Sequence, residues 1–247
     1  MARDMSEALI IDKVTTHYGK EAILDDISLS VTSSEVFGLI GLNGVGKTTL
    51  IKSILTLVRP TSGSVRIFGQ DFMDPASRAK LAYLPEKFQP PALLTGAEFI
   101  RFSLASFGLD YDLTHASEMA ENLGFDPASL DRRMGVYSKG MNQKLGLLAT
   151  FMTGQPLLIL DEPMSGLDPK ARILLKRQIA KYREDGNTIF LSSHILADLD
   201  EMCDRVGILH NGTLVYDGTP ADLKKRADTP SLEQAFLDVI EGDSTVA

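Results

Sequence analysis

The residues 41–49, GLNGVGKTT, constrain the fold of this chain more than any other stretch. They follow an apolar run, residues 36–40, that predicts a short buried strand, and they lead into residues 49–55, whose spacing predicts a helix. A strand, a glycine loop and a helix in this order form the context of a phosphate-binding loop. Because Gly41, Gly44 and Gly46 lack a Cβ, the backbone can turn successive N–H groups towards an anion.

The side chains of the same loop match the chemistry of a bound nucleotide. We expect Lys47 to reach the β- and γ-phosphates and the Thr48 hydroxyl to bind Mg²⁺, with Asn43 and Thr49 beside them. The helix that begins near Lys47 adds the positive end of its dipole. A structural turn that binds nothing is the alternative, and the complete G-x-x-x-x-G-K-T pattern between a strand and a helix argues against it.

Composition limits the classes of partner. The net charge is −8, and the Lys and Arg residues are scattered rather than clustered, so a nucleic-acid partner is disfavoured. The one cysteine, Cys203, cannot form an internal disulfide, which suits a reducing cytoplasm. Because no stretch approaches the roughly 20 apolar residues that span a bilayer, we expect another subunit to make any membrane crossing.

Two acids follow a second apolar run. Residues 157–160 are all apolar and precede Asp161 and Glu162, which is typical of a strand buried on both faces whose end opens on a polar site. We expect Asp161 to orient Mg²⁺ or its waters, and Glu162 to polarise a water that attacks the γ-phosphate. Adjacent carboxylates in loops are commonly just solvated, but these two end a predicted core strand.

Other polar positions have both a structural and a functional interpretation. Ser138 fits a helix N-cap, or a second anion site together with Lys139. Tyr18, in the turn between predicted strands at residues 8–14 and 27–31, is either a partly buried anchor or a stacking platform for a purine. Asp168 is predicted to cap a helix that begins with a proline. His194, at the end of the predicted strand 188–193, is interpreted as a donor to the γ-phosphate rather than a structural residue.

The ordered motifs resemble the nucleotide-binding subunit of an ATP-binding cassette (ABC) transporter over about residues 8–240. Residues 41–49 match its Walker A loop, and Tyr18 falls at its adenine-stacking aromatic. Glu86 falls at the Q-loop and residues 138–141 at the signature, while Asp161 and Glu162 match the Walker B acid and the catalytic glutamate. The D-loop matches residues 165–168, ending at Asp168, and the switch histidine matches His194.

Two motifs depart from the pattern of the family that the chain resembles. The signature usually reads LSGGQ and here reads YSKGM, which retains the phosphate-facing positions as Ser138 and Gly140. The Q-loop position usually holds Gln and here holds Glu86, a carboxylate that can approach Mg²⁺ but adds negative charge beside the γ-phosphate. The short form of the chain looks most like the single-cassette subunits of exporters.

The resemblance implies an α/β fold: a P-loop NTPase core with a mixed sheet, an N-terminal antiparallel β subdomain and an inserted α-helical subdomain. It implies one ABC ATPase domain over residues 1–247. The α/β core with its β subdomain would comprise residues 8–93 and 154–218, the helical subdomain residues 94–153, and a short C-terminal helical extension residues 219–247.

The resemblance also implies a mechanism with two partners. In a head-to-tail dimer formed with ATP and Mg²⁺, Ser138 and Gly140 of one copy would cover the γ-phosphate held by Lys47 and Thr48 of the other. A separate transmembrane permease would dock near Glu86 and the helical insertion, so the chain would lie on the cytoplasmic face of the membrane and power export.

Three alternatives come from other classes of protein. A soluble ABC ATPase in regulation or repair would normally carry two cassettes or a long coiled-coil insertion. A guanine-specific GTPase would need an N-K-x-D motif, which is not found in the sequence. A degenerate regulatory cassette would be expected to lose one of its functional residues, but Lys47, Asp161, Glu162 and His194 are all present.

Overall fold

The computed structural model describes residues 6–243. The predicted domain bounds at residues 1–5 and 244–247 therefore lie outside the described residues. Along the chain, the strands are β1 (Glu7–Tyr18), β2 (Glu21–Thr32), β3 (Val36–Ile40), β4 (Ser62–Ile67), β5 (Gln70–Asp71), β6 (Leu81–Leu84), β7 (Leu157–Asp161), β8 (Thr188–Ser193), β9 (Arg205–His210) and β10 (Thr213–Gly218).

The helices alternate with these strands or follow one another between them. They are α1 (Lys47–Ile54), α2 (Pro75–Arg78), α3 (Gly96–Ala105), α4 (Leu113–Asn122), α5 (Lys139–Met152), α6 (Pro169–Glu184), α7 (Leu196–Met202), α8 (Pro220–Arg226) and α9 (Leu232–Asp243). Short 3-10 turns at Pro127–Asp131 and Met134–Val136 join α4 to α5. Within residues 6–243, none of the helices combines the length and the apolar character that a bilayer span needs.

The larger sheet has six strands in the order β10-β9-β3-β8-β7-β6. Neighbouring strands run parallel except β9 and β10, which form an antiparallel hairpin. Every residue of β3, β7 and β8 is buried, which explains why the sequences of β3 and β7 are nearly continuous apolar runs.

The smaller sheet is antiparallel and has the order β2-β1-β4-β5. Its first two strands are longer than the predicted 8–14 and 27–31, because bulges carry the pairing through polar residues. Lys13 and Asp26 have φ values of 51° and 50° at these irregularities. Tyr18 is therefore the last residue of β1, paired with Glu21, rather than part of a longer turn.

The predicted fold class is confirmed: a mixed sheet, an N-terminal antiparallel sheet, and a run of helices between β6 and β7. The two faces of the larger sheet border different cores. Val36 and Ile40 of β3 pack with α3, α4 and α5, whereas Phe37 and Leu39 pack with α1 and the smaller sheet. Alternate side chains of one strand thus bind the two layers together.

The parallel register brings the carboxyl ends of three central strands to one edge. Ile40 of β3 pairs with Ser193 of β8, and Asp161 of β7 pairs with Ser192 of β8. The glycine loop after β3, the acids at the end of β7 and His194 after β8 therefore begin side by side, as expected for a ligand site of an α/β sheet.

A segment of β2 lies against two turns of the larger sheet. The Asp25 N–H donates to the Gly212 carbonyl at 2.8 Å, and a Cβ on Gly212 would lie 2.8 Å from the Ile23 carbonyl oxygen. Asn211 and Gly212 have φ values of 46° and 78°, as a type I′ hairpin turn requires. A Cβ on Gly46 would lie 3.0 Å from the same Ile23 oxygen.

Candidate nucleotide site

The glycine loop between β3 and α1 has the conformation that its sequence predicts. Gly46, the N-cap residue of α1, has a φ of 111°, and a Cβ there would lie 2.8 Å from Leu24 Cδ2. A Cβ on Gly41 would lie 2.7 Å from the Leu209 carbonyl oxygen. Side chains are therefore excluded at both ends of the loop, by conformation and space at Gly46 and by space at Gly41.

A cavity of about 330 Å³ opens beside this loop at the carboxyl edge of the larger sheet. It brings together predicted site residues from distant parts of the chain. They are Asn43, Gly44, Gly46, Lys47, Thr48, Thr49, Glu86, Asp161, Glu162 and His194. Ser165, the first residue of the matched D-loop, also lines it, as does Lys87, which no motif includes.

Lys47 lies buried at the base of the cavity. Its ammonium donates to the Gly41 carbonyl at 2.6 Å and to the Leu42 carbonyl at 3.2 Å, and it lies 3.9 Å from Glu162 Oε1. Burial lowers the pKa of Lys47, and the nearby carboxylates, Glu162 above all, oppose that shift. The carbonyls hold the ammonium without neutralising it, so this cation can attract phosphate.

Asp161 and Thr48 form a pair of oxygen donors next to the loop. Asp161 Oδ1 accepts from the Ser192 hydroxyl at 2.5 Å, and Oδ2 accepts from the Thr48 hydroxyl at 3.4 Å. Burial raises the pKa of Asp161, and the negative charges of Glu86 and Glu162 add to that rise. The bonds from Ser192 and Thr48 oppose it. A nearby cation would therefore favour the ionised form.

These donors fit Mg²⁺ bound together with a nucleotide. Mg²⁺ usually takes one or two protein oxygens and completes its shell with phosphate and water. In the part of the chain from residue 6 to 243, no group of three or more His, Cys, Asp or Glu side chains could hold a metal ion. A Mg²⁺ ion here would thus need phosphate oxygens in addition to Thr48 and Asp161. Glu86, the third predicted ligand, is exposed at the cavity wall.

Glu162 and His194 face each other across the ends of β7 and β8. Glu162 Oε2 lies 2.8 Å from His194 Nδ1, and the Glu162 N–H donates to the Ser192 hydroxyl at 3.1 Å. The backbone φ of Glu162 is 51°, a strained value for a residue with a side chain. Such strain is commonly found at functional sites. The Glu162 side chain is 9% exposed and the His194 side chain 58%, so the pair runs from the buried cavity base to its rim.

Five predicted site residues do not line this cavity of their own chain. Gly41 is buried directly after β3. Tyr18 is 49% exposed at the end of β1. Ser138 caps α5, where its hydroxyl accepts from the Met141 N–H at 3.2 Å, and Gly140 follows in the first turn. Asp168 caps α6 by accepting from the Ala171 N–H at 2.9 Å, and that bond is the main reason that its pKa is lowered.

Sequence reasoning missed Ser192, which links the two acids by bonding to Asp161 and to the Glu162 N–H. The available signal was a pair of hydroxyl residues, Ser192 and Ser193, ending a strand that otherwise begins Thr-Ile-Phe-Leu. Their closeness to Asp161 depends on the pairing of β7 with β8, which the sequence does not contain in any local pattern.

Comparison with known proteins identifies the family. Residues 24–165, more than half of the chain, match the family described as ABC transporter. The chain belongs to the ABC transporter family. The family prediction made from the motifs is therefore confirmed.

Two relatives of this ABC chain match most of its length. An uncharacterised ABC transporter ATP-binding protein of Nostoc is 37% identical over 207 residues, which are 83% of this chain and 62% of that protein. The bacitracin transport ATP-binding protein BcrA of Bacillus licheniformis is 34% identical over 226 residues, 90% of this chain and 73% of that protein. The chain thus spans less than two thirds of the length of the Nostoc relative.

A solved structure described as the ATP binding subunit of an ABC transporter has the same fold as this ABC chain. The TM-score is 0.85 at 32% sequence identity, and the match covers 94% of this chain and 99% of that chain.

Proposed function

We propose that this ABC chain binds and hydrolyses ATP and powers transport through a separate transmembrane subunit. The observation that carries the proposal is the single cavity in which a buried cation, Lys47, lies beside a carboxylate, Glu162, that contacts His194. A cation for phosphate and a positioned base for water are the parts that phosphoryl transfer requires.

Each residue of the cavity has a distinct proposed role. The N–H groups of the loop from Gly41 to Gly46 and the Lys47 ammonium bind the phosphates. Thr48 and Asp161 hold Mg²⁺, which neutralises negative charge on the phosphates, and Glu86 is a third candidate ligand. Glu162 takes the proton of the attacking water, and His194 holds Glu162 and donates to the γ-phosphate. Asn43 and Thr49 complete the phosphate-binding wall.

The site would be completed by a second copy of the chain. Ser138 and Gly140, exposed or partly exposed at the start of α5, would cover the γ-phosphate held by the partner copy. Asp168 would lie at the same interface, and Tyr18 would stack on adenine. A head-to-tail dimer is supported by the two anion-binding helix starts of one chain, since a single ATP needs only one to hold its phosphates.

The permease would dock on an apolar groove between β6 and the helices that follow it. The groove is lined by aromatic side chains including Phe88, Phe99, Phe102 and Phe107, and it adjoins the segment that carries Glu86. Phe102 is 68% exposed, so a large apolar ring is available to a partner. The chain would thereby lie on the cytoplasmic face of the membrane.

Similarity to a protein named for bacitracin transport supports an exporter of this single-cassette type. We further propose that residues 8–93 and 154–218 form the α/β core with its β subdomain, and residues 94–153 the helical subdomain. Residues 219–247 would form a short C-terminal extension.

The test combines nucleotide binding, hydrolysis and dimerisation of the purified chain. We expect ATP hydrolysis with Mg²⁺ that Glu162→Gln lowers by roughly 100- to 10,000-fold, the usual contribution of a positioned base. The Glu162→Gln chain should still dimerise when ATP is added, as measured by light scattering, whereas Lys47→Ala should lose ATP binding in calorimetry.

Two results would refute the proposal. One is ATP hydrolysis by Glu162→Gln at the wild-type rate, which would show that Glu162 is not the general base. The other is unchanged ATP affinity in Lys47→Ala, which would show that the glycine loop does not bind the phosphates.

A further inference from the structure

A buried carboxylate, Asp198, joins the two helices that flank the nucleotide site. It lies in α7 and is 6% exposed. Its Oδ1 lies 2.7 Å from Lys176 Nζ, and its Oδ2 lies 3.6 Å from an Arg172 guanidinium nitrogen. Both cations belong to α6, so the cluster ties α7 to α6.

Each helix begins at a part of the proposed site. α7 starts directly after His194 and Ile195, and Asp198 lies four residues beyond that histidine. α6 starts directly after Asp168, in the turn proposed to face a second copy of the chain. The Asp198 cluster therefore connects the His194 segment to the Asp168 turn through two short stretches of helix.

The start of α7 needs an external support. The helix has seven residues, a length at which an isolated helix is marginal, and its N-cap residue, Ile195, makes no side-chain capping bond. The Ile195 N–H donates instead to the Ser193 hydroxyl at 3.1 Å. Leu196 and Leu199 pack into the core, and the ion pair of Asp198 with Lys176 at 2.7 Å adds a directional contact to α6.

The cluster is poorly explained as a device for stability. Asp198 Oδ2 accepts no hydrogen bond within the described residues, and neither does the Arg172 Nε donate one. Buried charges with unfilled bonding capacity commonly cost stability relative to apolar residues of similar volume. A role in fixing the position of α7 accounts for a charged pair at this place.

We propose that Asp198, through Lys176, is a positioning residue for ATP hydrolysis, holding α7 so that His194 keeps its 2.8 Å contact with Glu162. The inference rests on the proposed hydrolysis of ATP at this cavity. Asp198 is not among the described residues that line the cavity. Its loss should therefore slow turnover without weakening nucleotide binding.

The first experiment compares Asp198→Asn with a matched control in the full-length chain. We expect Asp198→Asn to lower kcat by roughly 10- to 100-fold, the usual cost of losing a residue that orients a reacting group, with ATP affinity within about twofold of the wild type. Glu201→Gln is the control, because Glu201 is the exposed partner of the same Lys176, at 2.6 Å. Its kcat should stay within about twofold of the wild type.

The second experiment repeats Asp198→Asn in a His194→Ala background, with single-turnover hydrolysis of radiolabelled ATP as the readout. If Asp198 acts through His194, the added substitution should change the residual rate by less than about twofold. A second loss of the full size would show that Asp198 stabilises the chain generally, and it would overturn the inference.

Two further outcomes separate the inference from its premise. If Asp198→Asn does not fold, as judged by its melting temperature, Lys176→Met is measured in both backgrounds and must give the same pattern. If the wild type hydrolyses ATP but Asp198→Asn is equally fast, the inference alone fails. If the wild type does not hydrolyse ATP, the proposed function fails instead, and if Glu162→Gln is as fast as the wild type, Glu162 is not the base.

Discussion

The charge of Glu162 should weaken ATP binding even though it is needed for hydrolysis. Its Oε1 lies 3.9 Å from the Lys47 ammonium, and both side chains are at most 9% exposed. The carboxylate thus competes with phosphate for the same cation and also repels the terminal phosphate. Glu162→Gln keeps the shape of the side chain and removes both effects, so ATP should bind more tightly to this variant.

The size of the effect follows from the separation of the two groups. Unit charges 3.9 Å apart attract by about 4 kcal/mol at an effective dielectric constant of about 20. The net effect on ATP binding is smaller than this attraction energy, because the Gly41 and Leu42 carbonyls also stabilise the ammonium and water enters when the pair separates. We expect a net gain of about 1–2 kcal/mol, which is roughly 5- to 30-fold in Kd.

Calorimetry with a non-hydrolysable ATP analogue and Mg²⁺ measures this gain without interference from turnover. Glu184→Gln is a suitable control. Glu184 is exposed at the end of α6, so its substitution removes the same net charge far from the cavity. Its Kd should match that of the wild type. An unchanged or weaker affinity in Glu162→Gln would refute the view that Glu162 and phosphate compete for Lys47.

Three further predictions concern neighbouring residues. Because burial first, and then the charge of Glu86, raises the pKa of Asp161, ionisation of Asp161 costs folding free energy as the pH rises above its ordinary pKa. The nucleotide-free Asp161→Asn variant should therefore melt higher than the wild type at pH 7, by about 2–4 °C for each kcal/mol that ionisation costs, with the gap closing near pH 4. A lower melting temperature at pH 7 would contradict this. Glu86→Gln should tighten binding of the ATP analogue with Mg²⁺ a few-fold, roughly 0.5–1 kcal/mol, because the substitution removes a negative charge from the cavity wall. Weaker binding in calorimetry would instead identify Glu86 as a required metal ligand. Gly46→Ala should weaken binding of the analogue more than Gly44→Ala does. Both glycines have positive φ, but only a Cβ at Gly46 would lie 2.8 Å from Leu24. Equal effects of the two substitutions would show that backbone strain alone matters.

The local parts of the site could be predicted because a short window of sequence contains them. The glycine loop between a strand and a helix, the Asp168 cap followed by Pro169, and the Asn211-Gly212 turn each depend on residues that are neighbours in the chain. In such windows the backbone preference of each residue decides the structure with little help from tertiary contacts.

The contacts between distant segments could not be predicted in the same way. The Ser192 bond to Asp161 and the Glu162 contact with His194 require the register of β7 against β8. The helix α7 was missed because its seven residues contain too few turns for an apolar period to be visible. The start of α5, in contrast, agrees with the predicted cap, because Ser138 is its N-cap residue.

The contact between β2 and the hairpin tip affects how the chain can be engineered. Exposed two-residue turns are usually safe places for an epitope tag or a fluorescent reporter. At this turn Gly212 is buried, and the Ile23 carbonyl that lies against it also borders Gly46 at the start of α1. A label inserted between Asn211 and Gly212 would displace the same backbone that contacts the ATP loop. Such a fusion would therefore weaken nucleotide binding.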